Sequence, residues 1–409
     1  MSQFLETNLI NDPVYGFVDL KYKLINTLIS HPYFQRLRFI KQLSLAQLVY
    51  PGATHTRFQH SIGAMHLMHK SLNVLIQKGH AISDSEFKAA MVAILLHDIG
   101  HGPYSHSFEY GFIKKFNHEK VTLRIFKKLN EILGQDLDLA LKIFENKYSK
   151  KFFHSLISSQ LDLDRMDYLN RDSFFTGVAD GIIPFERIIA TLNLYKNEIV
   201  IEEKGIYSIE NFIIARRLMY WQVYLHKAVV AAETLLINIL QRAKELALDK
   251  NPIFCLPYLQ PLLFNDIDCD SLVTNDEYLD LFLRIDDADI FICIKNWQDD
   301  KDFTLSYLSK MLLNRNLYKI LLQNKPFSID YIEKAQKEVL KHPKITDKTL
   351  KYFINTGKLQ NNLYNFNRKD KISILTGNKI ANFSDYPSVI INSNLAVETE
   401  KYYLYSYFT

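Results

Sequence analysis

The run LLHDIGHGPYSH, Leu95 to His106, sets His97, Asp98, His101 and His106 within ten residues, at the end of an apolar stretch. Imidazoles and a carboxylate at this density can serve as metal ligands, as acid–base groups or as a pH-sensitive patch. Their distribution favours chemistry over accident. Nine of the 13 histidines (His55, His60, His66, His69, His80, His97, His101, His106 and His118) fall between residues 55 and 118, far more than an even spread would place there. His97 and Asp98 close the almost wholly apolar AAMVAILL, so both are expected inside the protein. A buried ionised carboxylate must be paired or bound to a cation, because leaving it alone in an apolar interior costs many kcal/mol. Neutral imidazole with carboxylate suits Fe, Mn, Zn, Ni or Co, and Mg less well.

Two neighbouring ligands cannot hold an ion alone. His60 in HTRFQHSIG and Asp164 in QLDLDRMDYLNRD are further candidates, each on a stretch with inward apolar positions. Asp164 by itself reads as an ordinary surface acid; its stripe changes that reading. Asp164, Tyr168 and Asp172 stand at i, i+4 and i+8 with Arg165 beside them, so one helix face offers a ligand, a phenol, a second acid and a cation. Asp167 and Arg171 read as a solvated i,i+4 ion pair, and His66, His69 and His80 as ordinary surface or satisfied core histidines. In ARRLMYWQVYLHK, Arg216, Tyr220, Tyr224 and Lys227 recur at steps of four, four and three and share a face. Met219, Val223, Val230 and Leu235 supply the packing face instead.

The elements that must carry these residues are mostly helical. Apolar periodicity predicts helices over 22–30, 33–44, 57–78, 84–98, 106–115, 119–132, 138–146, 154–172, 184–195 and 208–248. Others are predicted over 276–284, 288–296, 302–313, 315–322, 328–341 and 346–354. DPVYGFVDL reads as a small hairpin near the N-terminus; KISILTGNKIANF alternates around Gly-Asn, and KYYLYSYF is aromatic-rich. The expected fold is therefore mainly α, a helical bundle with a small C-terminal α+β lobe. The segments expected are 1–50 (hairpin and helices packed on the core), 51–245 (the core), 246–345 (a helical extension) and 346–409 (the β-containing lobe).

Composition bounds the function. A net charge of +4 from 49 basic and 45 acidic residues is too balanced to point to a nucleic-acid or membrane surface, while leaving room for local cationic pockets. Three cysteines without a Cys-x-x-Cys pairing argue against a disulfide framework or zinc ribbon. The N-terminus has no signal pattern and the apolar runs are too short to span a bilayer, so a soluble cytoplasmic protein is expected.

The ordered set His60, His97–Asp98 and Asp164 resembles the H…HD…D metal-binding pattern of the HD-domain phosphohydrolases. FQRLRFIKQL, PGATHTRFQHSIGAMHL, LLHDIGHGPYSHSFE, NHEK, LDLDRMDYLNRDSFFTG and ARRLMYWQVYLHKAV together resemble the deoxynucleoside triphosphate triphosphohydrolases, a group that includes bacterial dGTPase-like enzymes and the mammalian SAM-and-HD-domain protein. The likeness is strong over about residues 10–245 and weaker beyond; no SAM domain is evident. It implies one divalent ion (Fe, Mn, Zn, Ni, Co or Mg) on His60, His97, Asp98 and Asp164, and hydrolysis of a deoxynucleotide to deoxynucleoside and inorganic triphosphate. It further implies His118 as general acid, oriented by Glu109, with His101 and His106 on the phosphate side and Arg57 as a phosphate clamp. Arg165, where some relatives carry lysine, would hold the triphosphate with Arg216 and Lys227. Tyr168 and Asp172 would meet the sugar 3′-hydroxyl near Gln42 and Leu43. Tyr224, with Tyr220 on the same face, would lie under the deoxyribose and exclude a 2′-hydroxyl.

Some members of that family are activated by nucleotides read through an acid ahead of a Pro-x-Phe-Gln-Arg-Leu-Arg run. Here Ser30 and His31 stand where that acid would be, which argues against guanine-specific activation. Arg36, Arg38, Arg315 and Lys319 are the candidates for regulatory phosphate contacts. Family habit also implies a homodimer or homotetramer; nucleic-acid binding is possible but not indicated. The alternatives are an HD phosphohydrolase acting on a monophosphate, a cyclic dinucleotide or an alarmone, and a non-catalytic nucleotide-binding module. HGPYSH is not the Gly-Tyr-Pro order of the cyclic-dinucleotide enzymes, and a pure binder has no need of His118.

Overall fold

Helix starts are set by capping side chains. In the computed structural model, which describes residues 9–361, 371–386 and 399–407, Thr56 and Gln59 form a capping box ahead of α1 (Arg57–Gln77), and Ser83 with Glu86 forms another ahead of α2 (Asp84–Leu95). The short α3 (His106–Gly111) follows. Asn117 then caps α4 (His118–Ile132) and Asp162 caps α5 (Leu163–Thr176), accepting N–H groups of the first turn at 2.9 and 2.8 Å. α5 ends at Gly177, whose φ of 74° is the left-handed C-cap that favours glycine.

α2 is buried on every side from Phe87 onward except at Lys88, as its unbroken apolar character requires, and it packs against α1, which in turn packs against α5. One continuous core runs from Val18 to Tyr405. The fold is mainly helical with small sheets, as expected. Among the described residues no single helix is long and apolar enough to cross a membrane. β1 (Leu9–Asp12) and β2 (Gly16–Asp19) make the expected hairpin. β3 (Leu192–Tyr195) and β4 (Glu198–Glu202) form another, β5 (Lys319–Gln323) follows, and residues from 354 onward add β6 (Ile354–Asn361), β7 (Ser373–Thr376), β8 (Lys379–Asn382) and β9 (Thr399–Ser406). The late strands join earlier ones: β7 pairs parallel with β4, and β9 lies between β5 and β6.

Several helices differ from expectation for local reasons. The helix expected over 33–44 is reduced to the turns Pro32–Gln35 and Arg36–Phe39, because Ile40 turns extended and its carbonyl accepts the N–H of Arg57 at 2.9 Å. The 154–172 helix is two, Phe152–Ile157 and α5, since Asp162 serves as a cap rather than an interior residue. The 184–195 helix stops at Thr191 and enters β3, turning through Lys196 and Asn197, both at positive φ (49° and 68°). The helix expected over 315–322 gives way to β5 from Lys319 onward, and 346–354 keeps only a turn at Leu350–Tyr352.

The long helix expected over 208–248 is broken. α6 (Ile206–Met219) passes into a π-helical turn, Tyr220–Tyr224, before α7 (Lys227–Leu248), with a bend of 57°. Tyr50 donates its hydroxyl to the Gln222 carbonyl within that turn. π-Turns inside helices occur often at functional sites.

α1 and α5 approach closely at Gly63. A methyl there would run into Asp167 Oδ1 and the Arg171 guanidinium. Gly63→Ala is therefore expected to destabilise the fold by about 1–3 kcal/mol, the usual effect of overpacking a tight contact. Thermal melting checks it; an unchanged midpoint would show that the crossing can open without loss.

Candidate metal centre

The turn after α2 carries His97 and Asp98 inward to where α1 presents His60 and the first turn of α5 presents Asp164. His60 Nε2 lies 3.1 Å from Asp164 Oδ1, 3.3 Å from His97 Nε2 and 3.7 Å from Asp98 Oδ2. His97 Nε2 is 3.5 Å from both Asp164 Oδ1 and Asp98 Oδ1. Three of the four residues named from the sequence, His60, His97 and Asp164, bring ligand atoms within 4.8 Å of one another, and Asp98 adjoins the two histidines.

Hydrogen bonding shows what the cluster is built to hold. His97 Nδ1 lies 2.6 Å from the Ile94 carbonyl, which can only accept, so Nδ1 carries the proton. His60 Nδ1 faces Asp167 Oδ2 at 2.7 Å and likewise donates. In their neutral forms both rings therefore turn bare Nε2 lone pairs toward each other and toward two carboxylates, an arrangement that calls for a cation. Ligand atoms about 2.0–2.2 Å from one ion stand about 3.0–3.5 Å apart at tetrahedral or octahedral angles, close to the spacing here. The residues fit a divalent metal.

In the metal-free protein, burial favours neutral His60, but its hydrogen bonds to the Asp164 and Asp167 carboxylates outweigh it and push its pKa up to about 10. Ion uptake near neutral pH must then expel that proton. Apparent affinity is expected to rise about tenfold per pH unit below that value. Titrating metal-free protein with Mn²⁺ at several pH values checks this; a flat profile would show His60 already neutral.

A second group adjoins the first. Glu109 Oε1 on α3 lies 3.3 Å from Nδ1 of His118, the first residue of α4, and 3.4 Å from His101 Nδ1. The two imidazoles stack, centroids 4.0 Å apart, and His101 Nε2 lies 3.4 Å from Asp98 Oδ1, joining the groups. Burial first, then Arg57, pushes His101 down to about 4, so it is neutral beside His118 near pH 7. Buried Arg57 pairs with Asp98 through Nη1 and meets Ser105 Oγ with Nε and Nη2 at 3.0 and 2.7 Å. The loop beneath it holds Tyr104 and Ser105 at positive φ (50° and 48°), unusual for residues with a side chain. Asp287 anchors it, accepting the Tyr104 N–H at 2.7 Å. His106 begins α3, but its side chain lies outside the described residues.

Further along α5, Asp172 is buried and held at both oxygens, by His55 Nε2 at 2.7 Å and by the Tyr224 hydroxyl at 2.7 Å. Tyr168 and Tyr220 each meet Tyr224 edge-on, at 6.2 and 5.2 Å, and the buried Arg216 lies 5.8 Å over Tyr220. Gln42 donates its backbone N–H to the His55 carbonyl at 3.0 Å, while its Oε1 is buried with no partner among the described residues; Leu43 packs half-buried beside it. Arg165 is engaged by Asp162 and the Ser159 carbonyl, and Lys227 is exposed at the start of α7. The π-turn interrupts the single face expected for Arg216, Tyr220, Tyr224 and Lys227.

Two sequence expectations are corrected. Asp167 and Arg171 are not a solvated pair: both are 0% exposed, and Asp167 orients His60. The i,i+4 spacing is the same for surface and buried pairs; the available signal was Gly63 opposite them. Arg36 is no surface phosphate ligand. It is buried against Phe282 and spends Nε and Nη1 on the carbonyls of Ile285 and His101, at 2.8 and 2.9 Å. Arg38, Arg315 and Lys319 are exposed; Arg38 lies over Phe58, and Arg315 donates to the Leu48 carbonyl. Sequence reasoning assigned no role to His55 or Ser105, whose partners lie far away along the chain.

The comparisons agree with this geometry. Residues 57–172 match the HD domain model, and residues 183–254 match that of the HD associated region. The chain is 38% identical over 322 residues to the uncharacterized protein YwfO of Bacillus subtilis, covering 77% of this chain and 72% of that one. It is 27% identical over 282 residues to human deoxynucleoside triphosphate triphosphohydrolase SAMHD1, covering 58% and 45%. A crystal structure of a phosphohydrolase from Bacteroides thetaiotaomicron matches with a TM-score of 0.94 and 44% identity, over 98% of this chain and all of that one. A helical fold that gathers His60, His97 and Asp164 round one candidate ion position, with Asp98 beside them, defines the class, an HD-type phosphohydrolase. The chain belongs to the HD-domain phosphohydrolase family.

Proposed function

We propose that this protein hydrolyses deoxynucleoside triphosphates to deoxynucleoside and inorganic triphosphate. The observation that carries the reading is the α5 stripe. Asp164 faces the metal histidines, Tyr168 packs on Tyr224, and Asp172 is fixed at both oxygens where a sugar hydroxyl could donate to it. A phosphate-hydrolysing centre beside a hydroxyl-reading carboxylate walled by tyrosines suits a nucleotide with its α-phosphate at the ion. The SAMHD1 likeness supports the same substrate class.

The residues divide the labour. A divalent ion on His60, His97, Asp98 and Asp164 would polarise the phosphoryl oxygen and acidify a water. Water attacks the α-phosphorus and the bond to the 5′-oxygen breaks. His118 turns Nδ1 to Glu109, leaving Nε2 as the nitrogen that can pass a proton to that oxygen. Neutral His101 stacked on His118 adds no repulsion when His118 is cationic. Arg165 and Arg216 supply cations for the triphosphate, and Tyr224, bonded to Asp172, crowds the 2′ side of the sugar.

Incubating purified protein with dGTP, dATP, GTP and dGMP, with Mn²⁺, Mg²⁺, Fe²⁺ or EDTA, followed by chromatography of the products, tests this. Triphosphate and deoxynucleoside are expected from the deoxynucleotides, and nothing in EDTA. Orthophosphate or diphosphate as the released product would transfer the centre to another phosphate ester.

A further inference from the structure

A line of buried charges runs from the N-terminal hairpin to a metal ligand. Asp12 ends β1, and its Oδ1 accepts the N–H groups of Val14 and Tyr15 at 2.9 and 3.0 Å, closing the turn. Its Oδ2 receives Arg171 Nη1 at 2.8 Å. Arg171 grips Asp167 with Nε and Nη2, both at 3.0 Å, and Asp167 Oδ2 accepts His60 Nδ1 at 2.7 Å. Asp12 is 3% exposed and the other three are 0% exposed.

We propose that Asp12 is a positioning residue for the metal centre, acting through Arg171 and Asp167 on the direction and basicity of His60. The inference rests on the metal centre and not on the identity of the substrate. Closing the hairpin turn needs only a side-chain oxygen, which asparagine also supplies. The negative charge of Asp12 answers a different need, the buried guanidinium of Arg171. With Asp12 present, Arg171 is shared between two carboxylates, and Asp167 keeps charge and lone pairs for His60. Without that charge, Arg171 has only Asp167 to neutralise it and draws it off the imidazole. A carboxylate behind a ligating histidine fixes its tautomer and strengthens it as a ligand, and losing one typically weakens ion affinity 10- to 100-fold.

The test is equilibrium binding of Mn²⁺ to the metal-free full chain, in competition with a chelating dye, for the wild type, Asp12→Asn, Asp167→Asn and the double variant. Asp167→Asn is expected to weaken binding about 10- to 100-fold and Asp12→Asn about three- to tenfold, with the double variant no weaker than Asp167→Asn alone. A role confined to closing the hairpin would lower the melting temperature of Asp12→Asn while leaving the dissociation constant of the folded protein unchanged, and that result overturns the proposal. So do losses that multiply in the double variant, which would place Asp12 on another route. Wild-type protein that binds no ion defeats the metal centre itself. If Asp12→Asn does not fold, Asp12→Asn with Arg171→Gln removes both charges together and relieves Asp167 of its competitor; a near-wild-type constant supports the proposal, and a loss as large as that of Asp167→Asn overturns it, because Asp12 would then act otherwise than through Arg171.

Discussion

Asp164→Ala is expected to lower hydrolysis by about a thousandfold or more, because a missing metal ligand forfeits several kcal/mol of transition-state stabilisation. The fold should survive. Asp164 is not part of the packed core, its side chain being 30% exposed, and alanine is a better helix former than aspartate. What disappears is the oxygen 3.1 Å from His60 and 3.5 Å from His97. Burial favours a neutral acid at this position, but hydrogen bonds from His60 and His97 hold the Asp164 carboxylate far below the usual range, so it is a charged ligand at any working pH. Bound metal by elemental analysis, turnover and circular dichroism, measured together, decide the matter. Full activity in the variant, or retained metal with lost activity, would remove Asp164 from the ion's ligands.

His118→Ala separates proton delivery from ion binding. General acid catalysis contributes about 10²- to 10⁴-fold, so turnover should fall by that factor while metal content stays at the wild-type level. The geometry gives the reason: His118 touches Glu109 and stacks on His101, and it is His101 that lies 3.4 Å from Asp98. Substrate KM should change little, whereas Asp164→Ala removes ion and turnover together. A fall in metal content on replacing His118 would instead make His101, Glu109 and His118 ligands of a second ion, a grouping their mutual distances permit.

Much of the centre was legible because its residues carry their chemistry in type and order. His97 and Asp98 follow an apolar run that forces them inward, and Asp164, Tyr168 and Asp172 announce a common face through their spacing. The illegible part depends on neighbours remote in the chain. Asp167 and Arg171 look like a surface pair until α1 passes them at Gly63 and Asp12 arrives from the hairpin. His55 acquires a role only when α5 places Asp172 2.7 Å away. Tyr220–Tyr224 contains no glycine or proline to break the helix, so nothing local distinguishes a π-turn from another α-turn. KILLQ became a strand because its partner, β9, lies about eighty residues downstream, beyond the reach of any local pattern.

That placement of β9 has a consequence for how the molecule comes into being. The central strand of the three-stranded sheet is the last of the three to be synthesised, so on the ribosome β5 and β6 stand apart as two bare edges awaiting residues 399–406. Translation arrested before that point would release a chain whose helical interior can be assembled while its sheet still recruits strands from elsewhere. Shortened forms should therefore tend to clump, or to borrow a neighbour's strand, rather than simply lose activity.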